Sequence, residues 1–237
     1  MTYRLSARPR AAVLVLALAA GLSLTGCSQV LDVFGTAPTA ASVEDPAIVV
    51  VPTPQPTASM SFDSAFSYNG SVSLSTDIAD GLQVTLDMWA VAPSRTMEWT
   101  PEADKAFGFA INAHDSRVDQ KAVLAEKRRV YISAISIRSQ TAQASGQTQS
   151  PFQFSADPRT LVPADTIRSD RGLLLNSFQG GLYVPETSIH QLPNDTFGIT
   201  LEFSMNVAVE GSANDETSFT QQTIYQYVPI SISPSLG

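Results

Sequence analysis

Apolar and polar residues alternate with a period of two over most of the chain after about Ser61. Two short runs lie at residues 84–88 and 107–111. The longest run has its apolar positions at Phe197, Ile199, Leu201, Phe203, Met205, Val207 and Val209. Because successive side chains of a strand point to opposite faces, this period predicts antiparallel strands with one buried face and one wet face.

Weaker β-branched and aromatic segments fill the intervals between these strands. They lie at residues 66–74, 130–137, 172–178, 181–184 and 219–232, and a turn at 179–181 separates the third from the fourth. Stretches with helical periodicity are scarce, so we expect at most one short helix. The pattern predicts an all-β protein, an antiparallel β-sandwich of about seven to nine strands over residues 61–237.

Residues 1–26 have the parts of an export signal. Three arginines and no acid precede an apolar run at residues 11–24, which is shorter than the roughly 20 residues that a membrane-spanning helix needs. Leu24-Thr25-Gly26-Cys27 follows and resembles the bacterial lipobox. The resemblance implies lipid attachment to the thiol of Cys27, cleavage before it, and a mature lipoprotein on the outer face of the cell membrane.

Residues 27–60 have the composition of a tether, rich in Pro, Thr and Ala, with a stretch at 51–57 that favours polyproline II. Cys27 is the only cysteine, so no intrachain disulfide can form. The formal charge of the chain is −8, and loss of the three signal arginines lowers it to −11. An acidic balance of this size argues against nucleic acid as a partner.

Sequence motifs for catalysis and cofactor binding are missing. The chain has no Gly-x-Ser-x-Gly elbow and no phosphate-binding glycine loop. It contains two histidines, His114 and His190. We therefore assign no catalytic residue, no metal ligand and no cofactor. The acidic residues leave one alternative open, a carboxylate pair of the glycosidase type, if two of them meet in space.

Two groups of residues are candidates for a partner surface. The basic cluster Lys127, Arg128 and Arg129 could meet an anionic partner such as a wall polymer, or it could be a solvated strand edge. Trp89 is out of phase with the apolar side of its strand, and Trp99 lies nearby in sequence. Exposed tryptophans mark interaction sites, although these two could instead cover a sheet edge or belong to a second layer.

The alternating strands and the Pro/Thr-rich tether together resemble the immunoglobulin-like β-sandwich domains of secreted Gram-positive lipoproteins. The resemblance implies a non-enzymatic binding or envelope-organising module with an unknown protein or cell-wall partner. A small hydrolase acting on envelope carbohydrate or peptide is the first alternative. A solute-binding subunit of a transporter is the second, although the chain lacks the βα alternation of that class.

Overall fold

The computed structural model describes residues 61–66, 69–178 and 180–235. These residues form ten strands: β1 Ser71–Ala79, β2 Leu82–Ala90, β3 Lys105–Asp115, β4 Val130–Gln143, β5 Gln153–Ala156, β6 Arg168–Ser169, β7 Gly172–Leu174, β8 Leu182–Ile189, β9 Thr196–Glu210 and β10 Phe219–Ser231. Helical structure in this part of the chain is limited to three short 3₁₀ segments at Pro93–Glu98, Leu124–Glu126 and Pro158–Thr160.

The strands form two antiparallel sheets. The four-stranded sheet has the order β1-β2-β3-β8, and the six-stranded sheet has the order β10-β9-β4-β7-β6, with β5 also paired to β4. The predicted antiparallel β-sandwich is thus confirmed. The strand number exceeds the expected range because β5 and β6 are only four and two residues long, too short to produce a readable alternation, whereas β7 lies within the predicted segment 172–178.

The core lies between the inner faces of the two sheets. The apolar positions predicted on β2, β3 and β9 are almost all buried there, and Phe109 of β3 meets Phe203 of β9 edge to face at 5.5 Å between ring centroids. Burial of such side chains contributes about 25 cal/mol per Å² of apolar surface. The core is therefore the main source of stability for a chain without a disulfide.

The chain passes from one sheet to the other between β7 and β8. The predicted turn at 179–181 therefore does not join two paired strands, since β7 pairs with β4 and β6, whereas β8 pairs with β3. Gly181 has φ +122°, and a side chain there would collide with Asn112 on β3. A glycine is needed for the chain to pass so close to the end of the four-stranded sheet.

Two glutamines close one side of the sandwich, where β1 and β10 are the edge strands of their sheets. Gln222 of β10 donates a hydrogen bond to the backbone oxygen of Ile78 on β1 at 3.1 Å. Gln226 donates to the backbone oxygen of Leu74 at 3.1 Å and to the hydroxyl of Thr76 at 3.0 Å. These side chains occupy edge carbonyls of β1 that no strand pairs with.

The first and last described residues lie at one end of the sandwich, which we call the base. Phe62 packs on Gly198 near the start of β9, and the Ala65 amide donates to the Pro229 oxygen at 2.8 Å. The Ser233 amide donates to the Trp99 oxygen at 2.9 Å. The opposite end, where β3 ends and β10 begins, is called the tip.

Candidate binding site

The outer face of the four-stranded sheet carries an aromatic pair, Trp89 on β2 and Tyr183 on β8. The two small residues between them belong to β3, with Gly108 opposite Trp89 and Ala110 opposite Tyr183 in the strand register. Because Gly108 and Ala110 have little or no side chain, they leave space above β3, and the rings of Trp89 and Tyr183 come together in that space.

The rings of Trp89 and Tyr183 have nearly parallel planes, 20° apart, with centroids separated by 5.6 Å. Trp89 lies directly over Gly108, where an added methyl group would come within 2.7 Å of the indole. Tyr183 is 59% exposed and Trp89 is partly exposed. The result is an aromatic surface in contact with solvent and supported from below by the glycine.

A depression of about 440 Å³ adjoins Trp89 on the side of β1. Its lining includes Ser73 on β1 and Asp87, two positions before Trp89 on the same face of β2. Asp87 is opposite Ser73 in the register and makes no hydrogen bond or ion pair within the described part of the chain. We call Trp89, Tyr183, Gly108, Asp87 and Ser73 the aromatic site. It combines flat apolar surface with a carboxylate and a hydroxyl available to a ligand.

Exposed tyrosines also lie on the outer face of the six-stranded sheet. Tyr225 and Tyr227 of β10 are 54% and 55% exposed, and Tyr227 lies in a row with Glu202 of β9 and Arg138 of β4. Among the described residues these two tyrosines make no ring contact. They form a less organised surface than the aromatic site and are a suitable control for it.

Trp89 and Trp99 have different environments. Trp89 points outward, as its phase predicts. Trp99 is only 6% exposed, because the 3₁₀ segment Pro93–Glu98 returns the chain to the base, where the indole packs against Phe66 at 5.5 Å. The expectation that Trp99 belongs to a partner surface is therefore corrected, since this residue holds the start of the domain in place.

The basic cluster is not an exposed patch, which corrects the expectation of a solvated edge at Lys127 and Arg128 and of a partner contact through Arg128. Lys127 is 8% exposed and Arg128 is 4% exposed. Arg128 forms a bidentate ion pair with Asp115 at the end of β3, at 2.7 and 2.8 Å. Arg128 also donates to the backbone oxygen of Asp80 at 2.7 Å. These partners are distant in sequence, which explains why three consecutive cations appeared to be a solvated edge.

Arg129 is also occupied by partners within the chain. It binds both carboxylate oxygens of Glu210 at 2.5 and 3.0 Å and stacks on Phe219 at 5.3 Å. Hydrogen bonds that Arg129 donates to Glu210 raise the pKa of Arg129 above its ordinary value. Burial alone would raise the pKa of Glu210, but the bonds from Arg129 hold it below the usual range. Arg129 therefore serves mainly to connect β4 with the end of β9.

Neither a set of metal ligands nor a Ser-His-Asp arrangement is assembled at the tip cavity of the described residues. This cavity is lined in part by His114, Asp115 and Ser177, but the Asp115 carboxylate is bound to Arg128, and no hydrogen bond joins His114 to Ser177. A search of the same residues for three or more His, Cys, Asp or Glu side chains able to hold a metal finds no such group.

Tyr183 was not predicted as a site residue. Its only signal is its phase, because it alternates with the buried residues Leu182 and Val184 and must point outward. The register that brings it to Trp89 depends on pairing between β3 and β8, which lie more than 60 residues apart and which the sequence pattern does not specify.

No protein-family model and no curated protein matches the chain. Within the described residues, no helix is long and apolar enough to cross a membrane. Leu24, Thr25, Gly26 and Cys27 lie outside the described residues, so lipid attachment stays a prediction from the sequence.

Proposed function

We propose that this protein is a lipid-anchored, extracytoplasmic binding module whose aromatic site holds a glycan of the cell envelope. The observation that carries the proposal is the exposed Trp89–Tyr183 pair, supported by Gly108 and adjoined by a depression containing an unpartnered carboxylate. Among the described residues, no cluster of metal ligands is present to support a metal-dependent form of the hydrolase alternative.

The chemistry of the aromatic site suits a sugar ring. A pyranose presents C–H groups on its flat faces and hydroxyls around its rim. Tryptophan and tyrosine offer broad apolar surface with little conformational entropy to lose, because each has few rotatable bonds. The C–H face therefore packs on the rings, while Asp87 and Ser73 exchange hydrogen bonds with the hydroxyls.

The location follows from the N-terminal segment. The lipobox supports a diacylglyceryl group on Cys27, whose two acyl chains are sufficient for stable attachment to a bilayer. Residues 28–60 then separate the lipid from the base. A body with this acidic charge has little attraction to anionic headgroups, so binding to the envelope would depend on specific contacts.

The binding claim is tested by co-sedimentation of the full chain with insoluble, delipidated cell-wall polysaccharide. We expect Trp89→Ala to weaken binding about tenfold, since one aromatic contact of this kind is worth about 1–1.5 kcal/mol. Tyr227→Ala, which removes a more exposed ring from the opposite sheet, should bind as the wild type does. Retained binding by Trp89→Ala, or an equal loss in Tyr227→Ala, would contradict the proposal, and release of soluble fragments would favour a hydrolase.

The anchor is tested separately by feeding cells an alkyne-bearing fatty acid and isolating the protein. The wild type should carry the label and fractionate with membranes, whereas Cys27→Ser should carry none. Equal labelling of both chains would remove the lipoprotein part of the proposal and leave the aromatic site untouched.

A further inference from the structure

A polar cavity of about 470 Å³ lies at the tip of the sandwich and shares no residue with the aromatic site. Residues at the end of β3, from the loop before β4 and from the crossover between β7 and β8 form its walls. His114, Lys121, Lys127, Ser177 and Phe178 belong to its lining. Phe178 is 77% exposed, so the cavity is open to solvent and has an apolar side chain at its rim.

Lys127 is the unusual residue in this lining. Its side chain is almost completely buried, and its ammonium donates one hydrogen bond, to the backbone oxygen of Gln120 at 2.5 Å. No carboxylate of the described residues lies within 4.0 Å of it. An ammonium has three N–H donors, and a buried charge without a counter-charge is costly. Two donors and the charge therefore remain for a ligand.

Lys105 shows how the fold satisfies a buried lysine when the role is structural. It is also fully buried without a carboxylate partner, but its ammonium donates to three backbone oxygens, those of Pro101, Ala103 and His190, at 3.3, 2.5 and 3.4 Å. All three donors are used, and Lys105 does not line the tip cavity. The incomplete bonding of Lys127 beside a cavity is thus a distinct arrangement.

The charge around the cavity favours an anion. Asp115 is the acidic residue in the lining, and its two oxygens are occupied by Arg128. Lys121 adds a second, exposed cation to Lys127. The site is positive although the chain as a whole has a formal charge of −8. An oxyanion entering the cavity would meet two ammonium groups and the hydroxyl of Ser177.

We propose that the tip cavity binds an oxyanion, a phosphate or carboxylate group, through Lys127, with Lys121 and Ser177 as supporting contacts. The group is either a free small anion or part of an envelope polymer, because both present the same oxygens. Lys127 makes the principal contact since its charge is buried and unpaired, whereas Lys121 steers the anion from the rim. This site does not depend on the proposed glycan function.

The test is isothermal titration of the full chain with inorganic phosphate, acetate and a glycerol phosphate oligomer. We expect saturable binding of at least one probe, weakened tenfold or more by Lys127→Met. Arg138→Met, which removes an exposed cation from the outer face of the six-stranded sheet, should leave binding unchanged. Binding of the oligomer alone would identify a polymer as the source, and binding of a small anion would identify a free ligand.

The stability of the variants separates a ligand role from a structural one. Without ligand, Lys127→Met should unfold at the same midpoint as the wild type or a higher one, because it removes a buried, unpaired charge. Lys105→Met should unfold at a lower midpoint, since three carbonyls lose their donor.

If Lys127→Met does not fold, the binding of the same probes is measured with Lys121→Glu, and several-fold weaker binding is expected. Wild-type binding to none of the three probes, or unchanged binding in Lys127→Met or Lys121→Glu, overturns the proposal.

Discussion

Lys105 connects two loops at the base through its single ammonium group. Its three carbonyl acceptors lie just before β3 and just after β8, so one side chain holds both segments against the sheet. Burial lowers the pKa of Lys105 to about 8, and the nearby carboxylates of Asp104 and Glu102 oppose this shift only in part. The residue thus carries a stabilising contact and an electrostatic cost together.

The pKa of Lys105 predicts how stability changes with pH. Between pH 8 and 10.5 the unfolded chain holds the proton on this lysine more tightly than the folded chain does, so the free energy of unfolding should rise with pH. We expect a gain of about 2 kcal/mol by pH 10, measured by urea unfolding. The gain should be absent in Lys105→Met and present in the exposed-lysine control Lys121→Met. A flat profile in the wild type would show that the lysine is not perturbed.

Among the elements, the long strands were predictable and the short ones were not. β2, β3, β9 and β10 each extend far enough for one side to be mostly apolar, and most of their buried positions follow the alternation. β5 and β6 form because the six-stranded sheet offers them partners, and no local pattern records that, whereas β7 lies within the segment predicted at 172–178. The same limit applies to the aromatic site. The alternation along β2 predicts that Trp89 points outward, but its contact with Tyr183 depends on the register of β2, β3 and β8, which the sequence does not specify.

The burial of Arg128 likewise depends on contacts between elements. Its guanidinium joins the turn after β1, the end of β3 and the start of β4 through Asp80 and Asp115. Sequence alone shows a cation between two cations, whereas the fold places an acid 13 residues away directly against it. A partner that is distant in sequence converts an apparent surface charge into an internal connection.

Removal of the Asp115 charge should therefore be costly. Asp115→Asn leaves Arg128 buried without its counter-charge, and we expect a loss of about 3 kcal/mol in urea unfolding. The double variant Asp115→Leu with Arg128→Leu should lose less, because neither charge then remains. Arg95→Ala, which breaks the exposed pair with Glu98, should leave the unfolding midpoint almost unchanged, because water screens that pair. A similar small effect for Asp115→Asn would mean that water reaches Arg128.

On the scale of the whole molecule, the two proposed sites share no residue but both border the four-stranded sheet, since Tyr183 is opposite Ala110 on β3 and Asn112, two residues further, lines the tip cavity. β3 extends from the base to the tip over eleven residues, or about 30 Å. The oxyanion site lies at the tip, whereas Trp89 lies near the base end of β2, close to where the N-terminal segment joins the domain. Trp89 is therefore remote from the tip, whereas a ligand that covers Tyr183 comes close to the tip cavity.

The glutamine contacts between β1 and β10 also affect the behaviour of many molecules together. Exposed edge carbonyls are templates on which a further strand can add, and Gln222 and Gln226 occupy those of Leu74 and Ile78. Replacement of both by alanine should preserve the β-rich circular dichroism but produce light scattering that grows with concentration. Gln221→Ala, whose side chain faces outward on β10, should remain clear. The side chains of Gln222 and Gln226 would thus prevent the edge of β1 from adding strands of other molecules and growing into a fibre.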